Sequence, residues 1–242
     1  MIKNKLKNDK KFDVIILCGG QGRRLRPLTS TVPKPLTAIG RRPFIEYLIK
    51  FFLKNDFSNI IIACGYKSHL FKKFINKKFK LNNKIKLIDS GNVDIIKRIQ
   101  DSEKLIKNDF FVCYGDSFAT IDYTKYINFY FKNKNFSTMV TSFYRLQFGT
   151  LKVNSKTKTI LKFNEKPSLK EPINIGYFIF KKNLFSFIKK FNSWEKFLKA
   201  LIKRRLLKFF DFNGFHLTFN DYGDLQIAKS NISEIKKFLE SK

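Results

Sequence analysis

Residues 13–36 read DVIILCGGQGRRLRPLTSTVPKPL, a turn rich in glycine, arginine and proline directly after an apolar run. The run over 13–18 predicts a buried strand, because a short continuous apolar stretch suits a strand covered on both faces. Glycines after a strand let backbone N–H groups approach phosphate, and arginines add fixed cationic forks. Lys34 lies between two prolines that restrict its backbone. Walker A and dinucleotide fingerprints are absent, so we predict a phosphate-binding turn of another type.

The whole chain indicates one α/β domain. With 242 residues, of which 43% are hydrophobic, it is long enough for a substantial core. Strand and helix patterns alternate from Asp13 onward, which predicts a layered domain with a largely parallel sheet. Residues 1–11 are polar and basic and predict an N-terminal extension, so that the folded domain spans residues 12–242.

Hydrophobic spacing predicts the individual elements. The predicted strands cover 13–18, 59–64, 84–89, 109–116, 137–144, 173–180 and a short LLKFFDF segment, with a hairpin over 148–163. The predicted helices cover 43–54, 67–77, a short stretch ending near 106, 123–133, 182–190, 193–204 and 225–240. Pro43 suits the first turn of its helix, and Ser193 suits an N-cap.

The strongly basic composition has two interpretations. A formal net charge of +30 and a pI of about 10.1 are typical of nucleic-acid-binding proteins. The lysines are scattered, however, and no RNP, zinc-finger or KH signature accompanies them. Lys, Asn, Ile and Phe are abundant together, as A/T-rich codons favour. We therefore expect no nucleic-acid partner, and keep a basic nucleic-acid-binding protein as an alternative class. Both interpretations predict attraction of anionic substrates.

Cysteine usage and hydropathy predict a cytoplasmic location. Cys18, Cys64 and Cys113 are odd in number and lack metal-ligand spacing, which indicates reduced core thiols. The chain has no apolar run of roughly 18 residues, and its basic N-terminus lacks an apolar segment, so we expect neither a membrane span nor a secretory signal. Only His69 and His216 are present, so a histidine-based nucleophile relay is not expected.

Several motifs in a fixed order resemble one enzyme family. The stretch GGQGRRLRPLTSTVPKPL closely resembles the signature loop of sugar-1-phosphate nucleotidyltransferases. The later segments that resemble its acidic strand end, hairpin start, E-K-P motif, N-x-G stretch and W-x-D-x-G turn are Tyr114–Asp116, Phe148–Leu151, Phe163–Pro167, Asn174–Phe178 and Phe219–Gly223. The resemblance covers residues 12–230. It implies a single three-layer Rossmann-like domain with a mixed, mostly parallel sheet. The implied reaction joins a sugar 1-phosphate to the α-phosphate of a nucleoside triphosphate and releases pyrophosphate.

The resemblance also implies a role for each matching residue. Arg24 and Lys34 align with catalytic cations at the triphosphate, and Asp116 and Asp221 align with ligands of Mg²⁺. The implied nucleotide site comprises Leu17, Gly19, Gly20, Gly22, Arg24, Lys34 and Gly115. The implied sugar-phosphate site comprises Gly149, Glu165, Lys166, Asn174 and Gly176. Such a set suits the reaction, because phosphoryl transfer needs charge neutralisation and alignment more than a protein nucleophile.

Shorter motifs resemble the glucose-1-phosphate cytidylyltransferase branch and favour CTP. They are Tyr114–Asp116 followed by Ile121-Asp122, Ile88–Gly91, Trp194-Glu195 and Asn213–Phe215. That branch carries a T-G-G-x-L stretch after its third strand, whereas this chain lacks the paired glycines there. Asp94 and Ile95 would crowd a close backbone approach at this place. Phe219 stands where the family has tryptophan.

These departures leave other substrates open. They are GTP with mannose or heptose 1-phosphate, and UTP or dTTP with a hexose 1-phosphate. A catalytically silent sugar-nucleotide-binding protein is a further class, against which the intact Arg24, Lys34, Asp116, Lys166 and Asp221 argue. The expected partners are a nucleoside triphosphate and a sugar 1-phosphate, with Mg²⁺ as cofactor. We expect no membrane partner, and a homo-oligomer is left open.

Overall fold

The fold is known from a computed structural model that describes residues 11–80 and 82–240. Its strands are β1 (Asp13–Cys18), β2 (Ala38–Ile39), β3 (Arg42–Pro43), β4 (Ile60–Cys64), β5 (Ile85–Asp89), β6 (Phe110–Tyr114), β7 (Ser117–Ala119), β8 (Ser137–Ser142), β9 (Thr150–Asn154), β10 (Thr159–Asn164), β11 (Ile173–Phe180), β12 (Leu207–Asp211) and β13 (His216–Thr218). Its helices are α1 (Leu28–Thr31), α2 (Phe44–Lys54), α3 (Ser68–Phe79), α4 (Ile95–Asp101), α5 (Tyr123–Lys132), α6 (Phe185–Ile188), α7 (Trp194–Lys203), α8 (Tyr222–Ser230) and α9 (Ile232–Glu240). The predicted N-terminal extension lies outside the described residues except for Lys11.

One mixed sheet of seven strands has the order β12-β8-β11-β6-β1-β4-β5. Strand β11 is antiparallel to both of its neighbours, and the other neighbouring pairs are parallel. All six residues of β1 are buried, because the strand lies inside the sheet with helices over both faces. The register places Cys18 beside Cys64 and Leu17 beside Tyr114. The carboxyl ends of β1, β4 and β6 therefore meet at one edge.

Helices cover both faces of this sheet and complete three layers. One face packs against helices that include α2, α3 and α5, through side chains such as Phe44, Phe71 and Tyr126. The opposite face packs against α4, α6 and α7, through side chains such as Ile96 and Phe197. Each such side chain contributes about 1.5–3 kcal/mol when fully buried. The three-layer, Rossmann-like α/β fold with a mixed, mostly parallel sheet is confirmed.

The predicted elements agree with the structure through the central sheet, and β9 and β10 form the expected hairpin. The single C-terminal helix predicted over 225–240 was wrong, because α8 and α9 are separated at Asn231, whose side-chain amide donates to the Ile227 carbonyl. The helix predicted over 182–190 is a 3₁₀ turn followed by the four-residue α6. Pro43 precedes α2 as its N-cap residue and does not enter the first turn.

Two short strands that sequence periodicity missed shape the carboxyl edge of the sheet. Strand β7 begins one residue after Asp116 and pairs antiparallel with β13, with Ser117 opposite Thr218. The hydroxyl groups of these two residues are 2.7 Å apart. The pairing brings the chain after β13 back to Asp116, whose carbonyl accepts from the Phe219 N–H at 3.4 Å. Across the described ranges, the helices are too short or too polar to traverse a lipid bilayer.

Candidate active site

The glycine-rich turn leaves the carboxyl end of β1 and folds back on itself. Gly22 has φ +61°, a left-handed conformation that favours glycine. Its carbonyl accepts from the Leu25 N–H at 2.9 Å and from the Thr29 hydroxyl at 2.8 Å. A Cβ at Gly22 would lie 2.9 Å from the Thr29 methyl and 3.3 Å from the Lys34 Cβ. The glycine therefore lets the two ends of the turn pack closely.

Lys34 is held at the centre of the site by a carboxylate, an amide and an aromatic ring. Its side chain is buried, and its Nζ lies 2.6 Å from Asp116 Oδ2. Nζ also donates to Asn220 Oδ1 at 3.2 Å and lies 5.4 Å from the centre of the Phe219 ring. Burial strengthens this ion pair, because the surrounding dielectric is low. Asp116 thus balances the charge of a lysine that faces a cavity.

That cavity has a volume of about 280 Å³ and is lined mostly by the glycine-rich turn. Arg24 forms one wall, is exposed, and donates to Asn220 Oδ1 over a long 3.4 Å. An arginine with a single weak partner is free to turn toward an anion. The lining residues are Leu17, Cys18, Gly20, Gly22, Arg23, Arg24, Lys34, Pro35, Asp116 and Asn220.

Below the cavity, Gly115 packs against the end of β1. Its N–H donates to the Leu17 carbonyl at 2.9 Å, and a Cβ there would lie 2.5 Å from the Cys18 sulfur. Cys18, Cys64 and Cys113 are free and buried, as expected for reduced core thiols. Burial raises the pKa of Cys18 well above its ordinary value and that of Cys64 to about 12. These thiols are therefore protonated and inert at neutral pH.

A larger cavity of about 760 Å³ adjoins the first and shares Leu17, Gly20, Asp116 and Asn220 with it. Its additional lining residues include Gly19, Ile95, Arg98, Tyr114, Tyr144, Arg145, Asn174, His216 and Asp224. Burial lowers the pKa of His216, so its imidazole is neutral at neutral pH. The two cavities together form a cleft along the carboxyl ends of the strands, where open α/β sheets bind ligands.

Helix α4, which begins directly after the turn that follows β5, contributes Ile95 and Arg98 to one side of this cleft. Asp94 caps α4, because its Oδ1 accepts from the Ile96 N–H at 2.9 Å and from the Trp194 N–H at 2.9 Å. Arg98, which sequence reasoning missed, reaches back from α4 to the carbonyls of this turn. The sequence does carry a signal for the burial of Arg98. It lies three residues after Ile95 and four before Ser102, a spacing that puts all three residues on the inward face of the helix.

The predicted sugar-phosphate residues occupy two places. Asn174 lines the larger cavity and accepts from the N–H of Gly176, which has φ +84° and packs on Tyr114. Glu165 and Lys166 lie at the base of the exposed hairpin with their charged atoms 4.0 Å apart. Gly149 packs on Phe163 of the same hairpin, where a Cβ would lie 2.5 Å from the ring and 3.3 Å from Glu165 Oε2. These three hairpin residues are not among the described residues that line either cavity.

The Arg145 side chain and one backbone hydrogen bond hold the turn that carries Lys166. Arg145 Nε donates to the Lys166 carbonyl at 2.9 Å, and the Leu146 N–H donates to the Pro167 carbonyl at 2.9 Å. Lys166 itself has φ +42°. Because Arg145 also lines the larger cavity, this segment connects the hairpin turn to the cleft.

The two carboxylates predicted as metal ligands differ in orientation. Asp116 faces both cavities. Asp221 is exposed and caps α8, its Oδ1 accepting from the Asp224 N–H at 2.9 Å, while the preceding Asn220 faces Lys34. Over residues 11–80 and 82–240, no three His, Cys, Asp or Glu side chains are grouped as ligands for a metal ion. The structure thus brings together Arg24, Lys34 and Asp116, with Asp221 on the adjoining segment.

Comparison with known proteins identifies the family to which the chain belongs. The sequence profile of the nucleotidyl transferase family matches residues 13–218. The D-glycero-alpha-D-manno-heptose 1-phosphate guanylyltransferase of Campylobacter jejuni is 31% identical over 202 residues, which cover 80% of this chain and 87% of that protein. The glucose-1-phosphate cytidylyltransferase of Salmonella typhimurium is 26% identical over 228 residues, which cover 83% and 88%. The crystal structure of HddC from Yersinia pseudotuberculosis superposes with a TM-score of 0.71 at 23% identity, over 91% of this chain and 99% of HddC.

Proposed function

Because the chain belongs to the nucleotidyl transferase family, we propose that it transfers the nucleotidyl group of a nucleoside triphosphate to a sugar 1-phosphate. An oxygen of the sugar phosphate attacks the α-phosphorus, the bond from the α-phosphorus to the bridging oxygen of the β-phosphate breaks, and pyrophosphate leaves. The observation that supports this most strongly is the Lys34–Asp116 pair beside Arg24 in a cavity formed by the glycine-rich turn.

Arg24 and Lys34 have distinct tasks in this proposal. The nucleophile belongs to the substrate, so the protein needs to align two anionic substrates and neutralise their charge. Lys34 is held in place by Asp116 and Asn220 and supplies a fixed positive charge at the cavity wall. Arg24 is exposed and moves its guanidinium onto the triphosphate. Neither side chain needs to accept or donate a proton.

Magnesium is the cofactor that we propose. Mg²⁺ is usually bound through one or two carboxylates together with waters and substrate phosphates, so a single inward carboxylate suits it. Within residues 11–80 and 82–240, the one hydrogen bond to Asp116 Oδ1 is a long 3.4 Å contact from the Ser117 hydroxyl, so this oxygen is available as a ligand. We assign Asp221 as the second ligand. Its carboxylate would then bind the ion while it continues to accept from the Asp224 N–H at the start of α8. When bound, the ion would supply charge neutralisation at the triphosphate.

We propose that the sugar phosphate occupies the part of the larger cavity that Asn174 lines, and the nucleoside the part that Gly19 and Arg98 line. Asn174 lines this cavity and accepts from the Gly176 N–H. We propose that Glu165 binds sugar hydroxyls and Lys166 binds the phosphate as the segment that carries them closes over the cleft. The cavity volume of about 760 Å³ is sufficient for such a pair of substrates.

CTP is the nucleotide that we propose first, because of the motifs shared with the cytidylyltransferase branch. GTP with a heptose 1-phosphate is the second candidate, because a guanylyltransferase of that specificity is 31% identical to this chain. The absence of the paired glycines at Val93-Asp94 bears on the choice between these nucleotides, since this turn leads directly into α4, whose Ile95 lines the cleft.

A substrate panel tests the proposal. The protein is incubated with Mg²⁺, glucose 1-phosphate and each of CTP, UTP, GTP, ATP and dTTP, and the product is identified by ³¹P NMR and mass spectrometry. We expect a nucleoside diphosphate sugar with CTP. Product with a different nucleotide, or only with mannose or heptose 1-phosphate, would keep the reaction and change the specificity. Nucleotide binding without product from any pair would contradict the proposed activity and favour a binding protein.

A further inference from the structure

Arg98 is buried in the wall of the cleft without an acidic partner. Only 4% of its surface is exposed, and among the described residues no carboxylate forms an ion pair with it. Its Nη1 donates to the carbonyls of Cys64 at 3.0 Å and Gly91 at 2.9 Å. Its Nη2 donates to the carbonyls of Gly19 at 3.3 Å and Val93 at 3.1 Å. One guanidinium therefore connects three segments distant in sequence.

One of these segments, the glycine-rich turn, lines the nucleotide cavity in the proposed function, and Arg98 connects it to the other two. Gly19 begins the glycine-rich turn after β1, Cys64 ends β4, and Gly91 and Val93 form the turn after β5. The guanidinium fills the space beside Gly19 so closely that a Cβ at this glycine would lie 2.0 Å from Arg98 Cζ. The position of the glycine-rich turn relative to the other two segments is thus set by Arg98.

The choice of arginine here is not explained by core packing alone. Burying an unpaired guanidinium is costly, and a methionine would fill a similar volume at lower cost. Carbonyl dipoles compensate the charge only in part, and burial lowers the pKa of Arg98 from its ordinary value. Arginine nevertheless keeps its charge in proteins, so this residue places a fixed positive charge in the cleft wall.

We propose that Arg98 is a positioning residue for the nucleoside triphosphate. Its guanidinium holds the Gly19–Gly20 backbone against the Gly91–Val93 turn in the arrangement that binds the nucleotide, and it provides a positive charge on that side of the cleft. In this chain it maintains the turn at the place where the paired glycines are missing. This inference rests on the proposed function for its ligand.

Steady-state kinetics of three variants test it. Arg98→Met removes the charge and the hydrogen bonds, Arg98→Lys keeps the charge without the planar fork, and Lys97→Met is the matched control on the exposed side of α4. We expect Arg98→Met to raise the KM for the nucleotide about tenfold or more, with the KM for the sugar phosphate unchanged and kcat within about threefold. Arg98→Lys should be intermediate, and Lys97→Met should match the wild type. Equal effects on both substrates, or none, would overturn the proposal.

Hydrogen–deuterium exchange provides a readout that needs no turnover. Arg98→Met should increase exchange in segments 19–22 and 90–94 together, although about 70 residues separate them in sequence. Lys97→Met should leave both segments unchanged. If Arg98→Met does not fold, Arg98→Lys is measured in its place and should show the same paired increase. Wild-type exchange in both segments would overturn the role of Arg98 even where the enzyme is active. Paired loosening in a protein without turnover would support it and contradict only the proposed function.

Discussion

Lys34 and Arg98 are both buried at the carboxyl edge of the sheet, but their charges are compensated differently. Lys34 lies 2.6 Å from the Asp116 carboxylate, whereas every partner of Arg98 in the part of the chain that the structure describes is a backbone carbonyl. A lysine–carboxylate pair can separate when an anion and a cation arrive, because each partner finds a new counter-charge. The backbone carbonyls that accept from Arg98 cannot be replaced by a ligand in this way. The comparison indicates that chemistry occurs on the Lys34 side and that the Arg98 side sets the shape of the site.

The largest expected effect comes from breaking the Lys34 pair. Asp116→Asn keeps the shape of the side chain but removes the charge that we assign to Mg²⁺, so kcat/KM should fall on the order of 10³-fold. Asn220 still accepts from Lys34, and the loss of stability should stay near 1–2 kcal/mol. Pyrophosphate release and thermal unfolding measure the two effects. A folded Asp116→Asn protein with full activity would remove Asp116 from the mechanism.

Lys166 is an exposed lysine and provides a comparison with the buried Lys34–Asp116 pair. Lys166→Ala should raise the KM for the sugar phosphate roughly 10–100-fold, because a hydrogen bond to a charged group is lost, and should leave the KM for the nucleotide nearly unchanged. Lys162→Ala, an exposed lysine on the same hairpin, is the control and should have no effect. Equal changes in both KM values would argue against a role for Lys166 at the sugar phosphate.

Variants of Asp221 test whether a second carboxylate binds Mg²⁺ in addition to Asp116. Asp221→Ser retains a good N-cap for α8 but removes the carboxylate, so unfolding should be unchanged while half-maximal activity needs about tenfold more Mg²⁺. Asp221→Ala should in addition lower the free energy of unfolding by about 1 kcal/mol, because the cap is lost. Titration of Mg²⁺ and chemical denaturation distinguish the two roles. Wild-type activity of Asp221→Ser at every Mg²⁺ concentration would leave Asp221 as a helix cap only.

Replacing His216 gives the smallest expected effect and allows a comparison with Arg98. Both are basic groups without a carboxylate partner, but burial lowers the pKa of His216 enough to leave it neutral at neutral pH. Below a pH of roughly 6.5 the unfolded chain takes up this proton before the folded protein does, so stability is lost as pH falls. Denaturation midpoints should therefore fall less steeply toward acid in His216→Asn than in the wild type. Parallel pH profiles would contradict this.

Local patterns predicted most of the fold but only part of the site. The buried run of β1 and the cap of α7 by Ser193 depend on nearby residues and were predicted from them. Asp116 could be placed at the site because it follows a strand whose carboxyl end lies at the ligand-binding edge of the sheet, whereas Lys34 was assigned by the family resemblance. Asn220 faces Lys34 only through the pairing of β7 with β13, strands too short to show a period. Arg98 donates to backbone carbonyls, and a sequence motif does not indicate which carbonyls the fold brings together.

Pyrophosphate release tests the central claim most directly. The protein with Mg²⁺ is given CTP alone, glucose 1-phosphate alone, and both together, and the assay is repeated with GTP and a heptose 1-phosphate. Transfer predicts pyrophosphate only when a matching pair is present, in equal amount to the nucleoside diphosphate sugar formed, and none from Asp116→Asn. Pyrophosphate from the nucleotide alone, or none from any pair while the folded protein binds nucleotide, would contradict transfer to a sugar phosphate.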